Sequence, residues 1–148
     1  MTTACWSGKH LAADRMIDGW QQANKIFPLP NRRWLIGAGN YDDLAEVAAW
    51  YMGGASAEHK PDVGTETSFL IASSEGAWWL SAPYLREIKI LDAYAAVGSG
   101  AAYALGALAS GKSARQAVEI ASRFDPQTGN GVDCVALSRK TPKRGKAC

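Results

Sequence analysis

Residues 2–14 read Thr2-Thr3-Ala4-Cys5-Trp6-Ser7-Gly8-Lys9-His10-Leu11-Ala12-Ala13-Asp14. Two β-type segments, Thr2 to Ser7 and His10 to Asp14, flank the pair Gly8-Lys9. A two-residue loop containing glycine between such segments predicts a β-hairpin, so the chain begins inside a sheet. Beyond a polar loop through Asp18-Gly19, Ala23 to Leu29 reads as a short strand, Pro28 to Arg33 as a turn and Trp34 to Gly39 as a second strand. From Tyr41 to Met52 the apolar residues Leu44, Val47, Ala48 and Tyr51 recur at i, i+3, i+4 and i+7, the stripe of an amphipathic helix. Asp42 and Asp43 suit its first turn, where carboxylates meet the positive end of the helix dipole, and Gly53-Gly54 stops it.

Farther along, Ser68 to Ala72 and Ala77 to Ser81 predict a hairpin around Ser73-Ser74-Glu75-Gly76, with Trp78 and Trp79 facing opposite sides. A strand at Tyr94 to Val97 runs into Gly98-Ser99-Gly100, and an alanine-rich helix follows from Ala101 to about Ser110. Ser113, with Gln116 three positions on, forms a capping box for a helix reaching Phe124, and Val132 to Ser138 is the last strand. Strands, a helix, strands, two helices and a strand suit antiparallel sheets covered by helices better than a βαβ alternation. The class is α+β.

The 148 residues, 47% hydrophobic and 20% charged, hold enough apolar material for one core. A single domain is expected over residues 1–138, followed by a basic tail at 139–148. Arg139, Lys140, Lys143, Arg144 and Lys146 lie in that tail; of the 16 Lys and Arg the other 11 face 14 Asp and Glu, so the body is acidic. No basic nucleic-acid face is expected. No apolar run reaches the roughly 18–20 residues of a membrane helix, and no secretory signal leads the chain, which places it in the cytoplasm without a membrane partner. Cys5, Cys134 and Cys148 are odd in number and lack CxxC spacing; they read as reduced thiols rather than a disulfide framework or zinc site, with Cys134 in the core. His10 and His59 are too few and too far apart in sequence for a histidine-based site.

Five segments, taken in order, resemble the proteasome β-subunits and the HslV-type peptidases. Thr2-Thr3 resembles their mature N-terminus, Ala12-Ala13-Asp14 their aspartate at the end of the second strand, and Lys25 stands where their active-site lysine does. Gly37-Ala38-Gly39 follows at the family's spacing. Val97-Gly98-Ser99-Gly100-Ala101 resembles the family's Gly-Ser-Gly turn into a helix, and Asp125-Pro126-Gln127-Thr128-Gly129 its Asp-x-x-Ser-Gly turn, with threonine for serine. The resemblance spans Thr2 to about Leu137. It implies a four-layer αββα sandwich of antiparallel sheets, the N-terminal nucleophile hydrolase fold.

The implied chemistry suits these residue types. A threonine hydroxyl is a poor nucleophile at neutral pH and needs a base, which an N-terminal residue carries in its own α-amine, of ordinary pKa about 7.7–8.0. Thr2 would supply both groups once Met1 is removed. Lys25 would place positive charge beside them, Asp14 would keep that lysine charged, and the Gly39 amide would donate to the oxyanion. Ser99, Asp125 and Thr128 would orient the Thr2 amine and a water. Strand alternation puts Ala23 and Phe27 on the side of Lys25, and Gly37 and Tyr41 lie two residues either side of Gly39; these four are the expected substrate-binding residues, for an apolar or aromatic side chain. No metal or organic cofactor is required.

The resemblance further implies stacked homo-oligomeric rings, unfolded polypeptide as substrate and an ATP-dependent unfoldase as partner. With Met1 alone ahead of Thr2, the expectation is the HslV type, without a self-cleaved propeptide. Two other readings fit the same residues. One is a catalytically inactive structural subunit that keeps Met1, and the other an N-terminal nucleophile amidase acting alone or as a dimer on a small amide.

Overall fold

Both faces of the first hairpin are buried, which requires a layer on each side of it. The computed structural model describes residues 2–138; Met1 and the tail at 139–148 lie outside the described residues. Strand β1 (Thr3–Trp6) pairs antiparallel with β2 (His10–Asp14), Ala4 opposite Ala13 and Cys5 opposite Ala12. The two-stranded ribbon β3 (Met16–Ile17) and β4 (Gln21–Gln22) follows, then β5 (Ile26–Leu29), β6 (Arg33–Ala38) and α1 (Tyr41–Met52). Next come β7 (Ser68–Ser73), β8 (Gly76–Ser81), β9 (Arg86–Lys89) and β10 (Ala95–Gly98), then α2 (Ala101–Ala109), α3 (Ala114–Phe124) and β11 (Val132–Ala136).

One sheet has the order β10-β1-β2-β11 and the other β5-β6-β7-β8-β9, all pairs antiparallel. Period-two alternation sorts the side chains into three cores. Ala4, Trp6, Leu11 and Ala13 turn toward Ile26, Ile36, Leu70 and Ala72 and bond the two sheets. Cys5, Ala12 and Ala96 face outward beneath Ala104, Ala117, Val118 and Ala121, whose small side chains let α2 and α3 lie close to the sheet. On the far side, Leu35, Phe69 and Ile71 pack under Leu44, Val47 and Ala48 of α1. The order helices, sheet, sheet, helix is the expected αββα sandwich.

Caps close the helices where the sequence places them. Asn40 Oδ1 accepts the Asp42 N–H at the start of α1, and Ser113 and Gln116 form a reciprocal capping box at the start of α3. Trp78 packs on the α1 side of its sheet and Trp79 between the sheets. Two predicted features are corrected. The strand read from Ala23 begins at Ile26, and its Pro28 is tolerated because β5 is an edge strand. Cys134 is half-buried and disulfide-bonded, against the reading of reduced thiols, since an odd count leaves room for one pair and a pair does not need CxxC spacing. Cys5 is a free thiol, pushed up to about 12 by burial.

Candidate active site

Hairpin geometry brings the end of β2 back beside the start of β1, so Asp14 lies next to the residues at the head of the chain. Its carboxylate is fully buried and accepts from the Thr3 N–H at 3.2 Å, the Gly129 N–H at 2.9 Å and Lys25 Nζ at 3.0 Å. Lys25, just ahead of β5, is 3% exposed and spends all three ammonium protons: on Asp14, on Thr2 Oγ1 and on the Met16 carbonyl. Burial pulls the Lys25 ammonium below the usual lysine range, and the Asp14 charge opposes that pull. Burial likewise raises the Asp14 carboxyl, against the Lys25 charge and the two backbone donors. The pair is thus a desolvated charge couple aimed at the Thr2 hydroxyl.

Thr2 lines a cleft of about 420 Å³ together with Met16, Ile17, Asp18, Gly39, Tyr41 and Asp42. Gly39 follows β6 with φ +126°, and a Cβ there would lie 2.7 Å from Thr67 Cα and 2.9 Å from the Glu66 carbonyl oxygen, so only glycine fits. Gly98 secures Thr2 from the other side. It pairs with Thr3, has φ +103°, and a Cβ on it would fall 1.8 Å from the Thr2 carbonyl oxygen. Gly98→Ala is therefore expected to cost about 1–3 kcal/mol in backbone strain alone, before the clash is counted, read as a lowered denaturant midpoint.

A second cluster adjoins the first. Ser99 Oγ donates to Asp125 Oδ2 at 2.6 Å, Thr128 Oγ1 donates to the same oxygen, and the Gln127 N–H donates to Oδ1 at 3.1 Å. Burial pushes the Asp125 carboxyl up, but these three hydrogen bonds outweigh it and hold the group below the usual carboxylate range. Thr128 Oγ1 also lies 2.7 Å from Thr3 Oγ1, which joins the cluster to the residue after Thr2.

Lys25 thus touches both Thr2 and Asp14, Gly39 lines the same cleft, and Ser99, Asp125 and Thr128 meet them through Thr3 and Gly129. Of the four residues expected to bind substrate, Tyr41 lines the cleft. Phe27 stands behind it, ring centroids 6.0 Å apart. Gly37 is buried beneath α1, its missing Cβ 2.4 Å from Leu44 Cδ2, and Ala23 lies in the segment bonded to the Arg15 carbonyl. Sequence reasoning missed the Met16 carbonyl, the Thr3 hydroxyl and the walls at Asp18 and Asp42. A backbone acceptor carries no side-chain signal, and the β3–β4 ribbon, whose strand β3 and following turn supply Met16, Ile17 and Asp18 to the lining, has too few residues to show a strand period. Among the described residues no group of three or more His, Cys, Asp or Glu could hold a metal, and no helix is long and apolar enough to cross a membrane.

No protein-family model and no curated protein matches this chain. Solved structures do. Thiobacillus denitrificans BPH matches with TM-score 0.65 and 19% identity over 94% of this chain and 99% of its own. The eukaryotic HslV of Trypanosoma brucei matches with TM-score 0.65 and 18% identity over 93% of this chain and 99% of its own. The chain has the fold of the HslV-type peptidases. BPH has also been solved in complex with epoxomicin, and that structure matches with TM-score 0.66 at 18% identity, over 95% of this chain and 99% of its own. The likeness runs over nearly the whole of those chains. It is a likeness of fold.

Proposed function

We propose that this chain is a threonine-type endopeptidase subunit of a self-compartmentalising, proteasome-like ring complex. Its nucleophile is Thr2, exposed by removal of Met1, and its substrate is unfolded polypeptide delivered by an ATP-dependent unfoldase. The observation that carries the reading is the Lys25 ammonium, which is buried, charge-paired to Asp14 and donates to Thr2 Oγ1, with Thr2 and Lys25 both in the lining of the cleft.

In the proposed cycle the Thr2 α-amine takes the hydroxyl proton, Oγ1 attacks the peptide carbonyl carbon, and the oxyanion forms beside the Gly39 amide. The C–N bond then breaks as the amine passes the proton to the leaving nitrogen. Water activated at the freed amine hydrolyses the ester and restores Thr2. Lys25 lowers the cost of negative charge on Oγ1 throughout.

Intact mass before and after a peptide epoxyketone tests this, because that reagent closes a stable ring only with a free threonine amine and its own hydroxyl. Loss of Met1 and a gain of one reagent mass per chain, absent in Thr2→Ala, is the expected result. Met1 retained with no adduct would leave a ring scaffold without chemistry, and a small native mass with an adduct would point to the amidase reading.

A further inference from the structure

The turn that carries Gly39 is pinned by a relay that joins Asn40, in the lining of the cleft, to Thr67 and Asp43, neither of which lines it. The Asn40 N–H donates to Thr67 Oγ1 at 3.1 Å, and Thr67 Oγ1 donates its single proton to Asp43 Oδ2 at 2.6 Å. Thr67 is 2% exposed and immediately precedes β7. A hydroxyl has one proton, so giving it to Asp43 leaves only a lone pair to face Asn40, and the relay has one polarity. The hydroxyl also occupies the space that a side chain at position 39 would need, 2.9 Å from where its Cβ would lie.

The consequence falls on the Gly39 N–H. The peptide before Gly39 is held by β6, where Ala38 pairs with Ser68, and the peptide after it is held by Thr67 through the Asn40 N–H. Glycine alone tolerates many φ values, so an unpinned Gly39 would let its amide swing. Ser68 of β7 and Thr67 just ahead of that strand fix it on both sides at φ +126°. Oxyanion donors work only when they are already aimed at the place where charge develops.

We infer that Thr67 and Asp43 are positioning residues that aim the Gly39 amide into the cleft; this rests on the peptidase reading above. Thr67→Val keeps the shape and removes both hydrogen bonds, whereas Thr67→Ser keeps both. In the assembled protein, Thr67→Val is expected to lower kcat on a peptide substrate about 10²-fold with KM nearly unchanged, because a misaimed donor weakens transition-state and not ground-state binding. Thr67→Ser should stay within about threefold of the parent. Asp43→Ala, at a partly exposed position that tolerates truncation, should lower kcat in the same direction. Amide exchange of the 38–44 segment should quicken in Thr67→Val and not in Thr67→Ser.

The inference is overturned if Thr67→Val keeps kcat within about threefold, or if Thr67→Ser is as impaired as Thr67→Val. If Thr67→Val does not fold, Asp43→Ala decides: a parent-like kcat sinks the inference. Should the parent form no epoxyketone adduct, the peptidase reading fails by itself. The exchange experiment still judges the relay, and unchanged protection in Thr67→Val rejects it.

Discussion

Lys25→Met is expected to slow epoxyketone adduct formation at Thr2 by about 10³-fold, within the range of a positioned proton-transfer group, while leaving the Thr2 amine intact. The methionine side chain fills nearly the volume of the lysine stem, so the cleft wall survives, but Thr2 Oγ1 and the Met16 carbonyl lose their shared donor. The pH profile separates this from a packing defect. In the parent, adduct formation falls as pH drops and the α-amine, ordinarily about 7.7–8.0, is protonated. It falls again in alkali as Lys25 loses its proton. Because burial lowers the Lys25 pKa from 10.5, that alkaline limb begins below the ordinary lysine range. The Lys25→Met profile should keep the acid limb and lose the alkaline one. An unchanged rate, or an alkaline limb that persists in the variant, would remove Lys25 from the chemistry.

The elements legible in the sequence are those in which local signals and burial agree. The stripe of α1 at Leu44, Val47 and Ala48, the capping box of α3 and the glycine-bearing turn between β1 and β2 each specify their structure within a few residues. The elements missed are shaped by partners. In β9, Arg-Glu-Ile-Lys is exposed at every residue, so no alternation marks it, and its extended form comes from pairing with β8 at the edge of the sheet. The β3–β4 ribbon has two residues a side, too few for a period, and it is tied down by Gly129 carbonyl contacts more than a hundred residues away.

The site divides along the same line. That Thr2, Asp14, Lys25 and Gly39 lie near one another was legible because the resemblance fixes their order along the chain, and the hairpin accounts for Asp14 reaching Thr3. The Asp43–Thr67–Asn40 relay was not, because it consists of ordinary residues at a helix start and a strand start. Its meaning comes only from a contact across 24 and 27 positions. Phe27 and Gly37 show the opposite error. Strand alternation placed them on the right face in projection, but α1 covers Gly37, and the Tyr41 ring stands beside Phe27.

Asp14→Ala should be the most destabilising single change in the site, about 3–5 kcal/mol by denaturant midpoint at neutral pH, the usual cost of stranding one member of a buried ion pair. Three donors lose their acceptor together: Lys25 Nζ and the N–H groups of Thr3 and Gly129. The intact pair is itself no source of stability. The Asp14 pKa is raised on folding, so its contribution is present below the unfolded value of 3.8 and lost as pH rises through the folded one. The Lys25 pKa is lowered, so its contribution is present above 10.5 and lost as pH falls through the folded one. While paired as ions, both bear the desolvation cost, which suits a pair kept for the charge it presents to Thr2. In Asp14→Ala, Lys25 loses the anion that held its pKa up, so it should shed its proton more readily still. Raising the pH from 7 to about 9.5 should then recover part of the lost stability. Adding Lys25→Met should recover that part at pH 7 and flatten the pH dependence, leaving the two orphaned amides and the two acceptors that Lys25 served, Thr2 Oγ1 and the Met16 carbonyl, to account for. A double variant no more stable than Asp14→Ala, with the same pH slope, would mean that the buried charge is not what the single substitution strands.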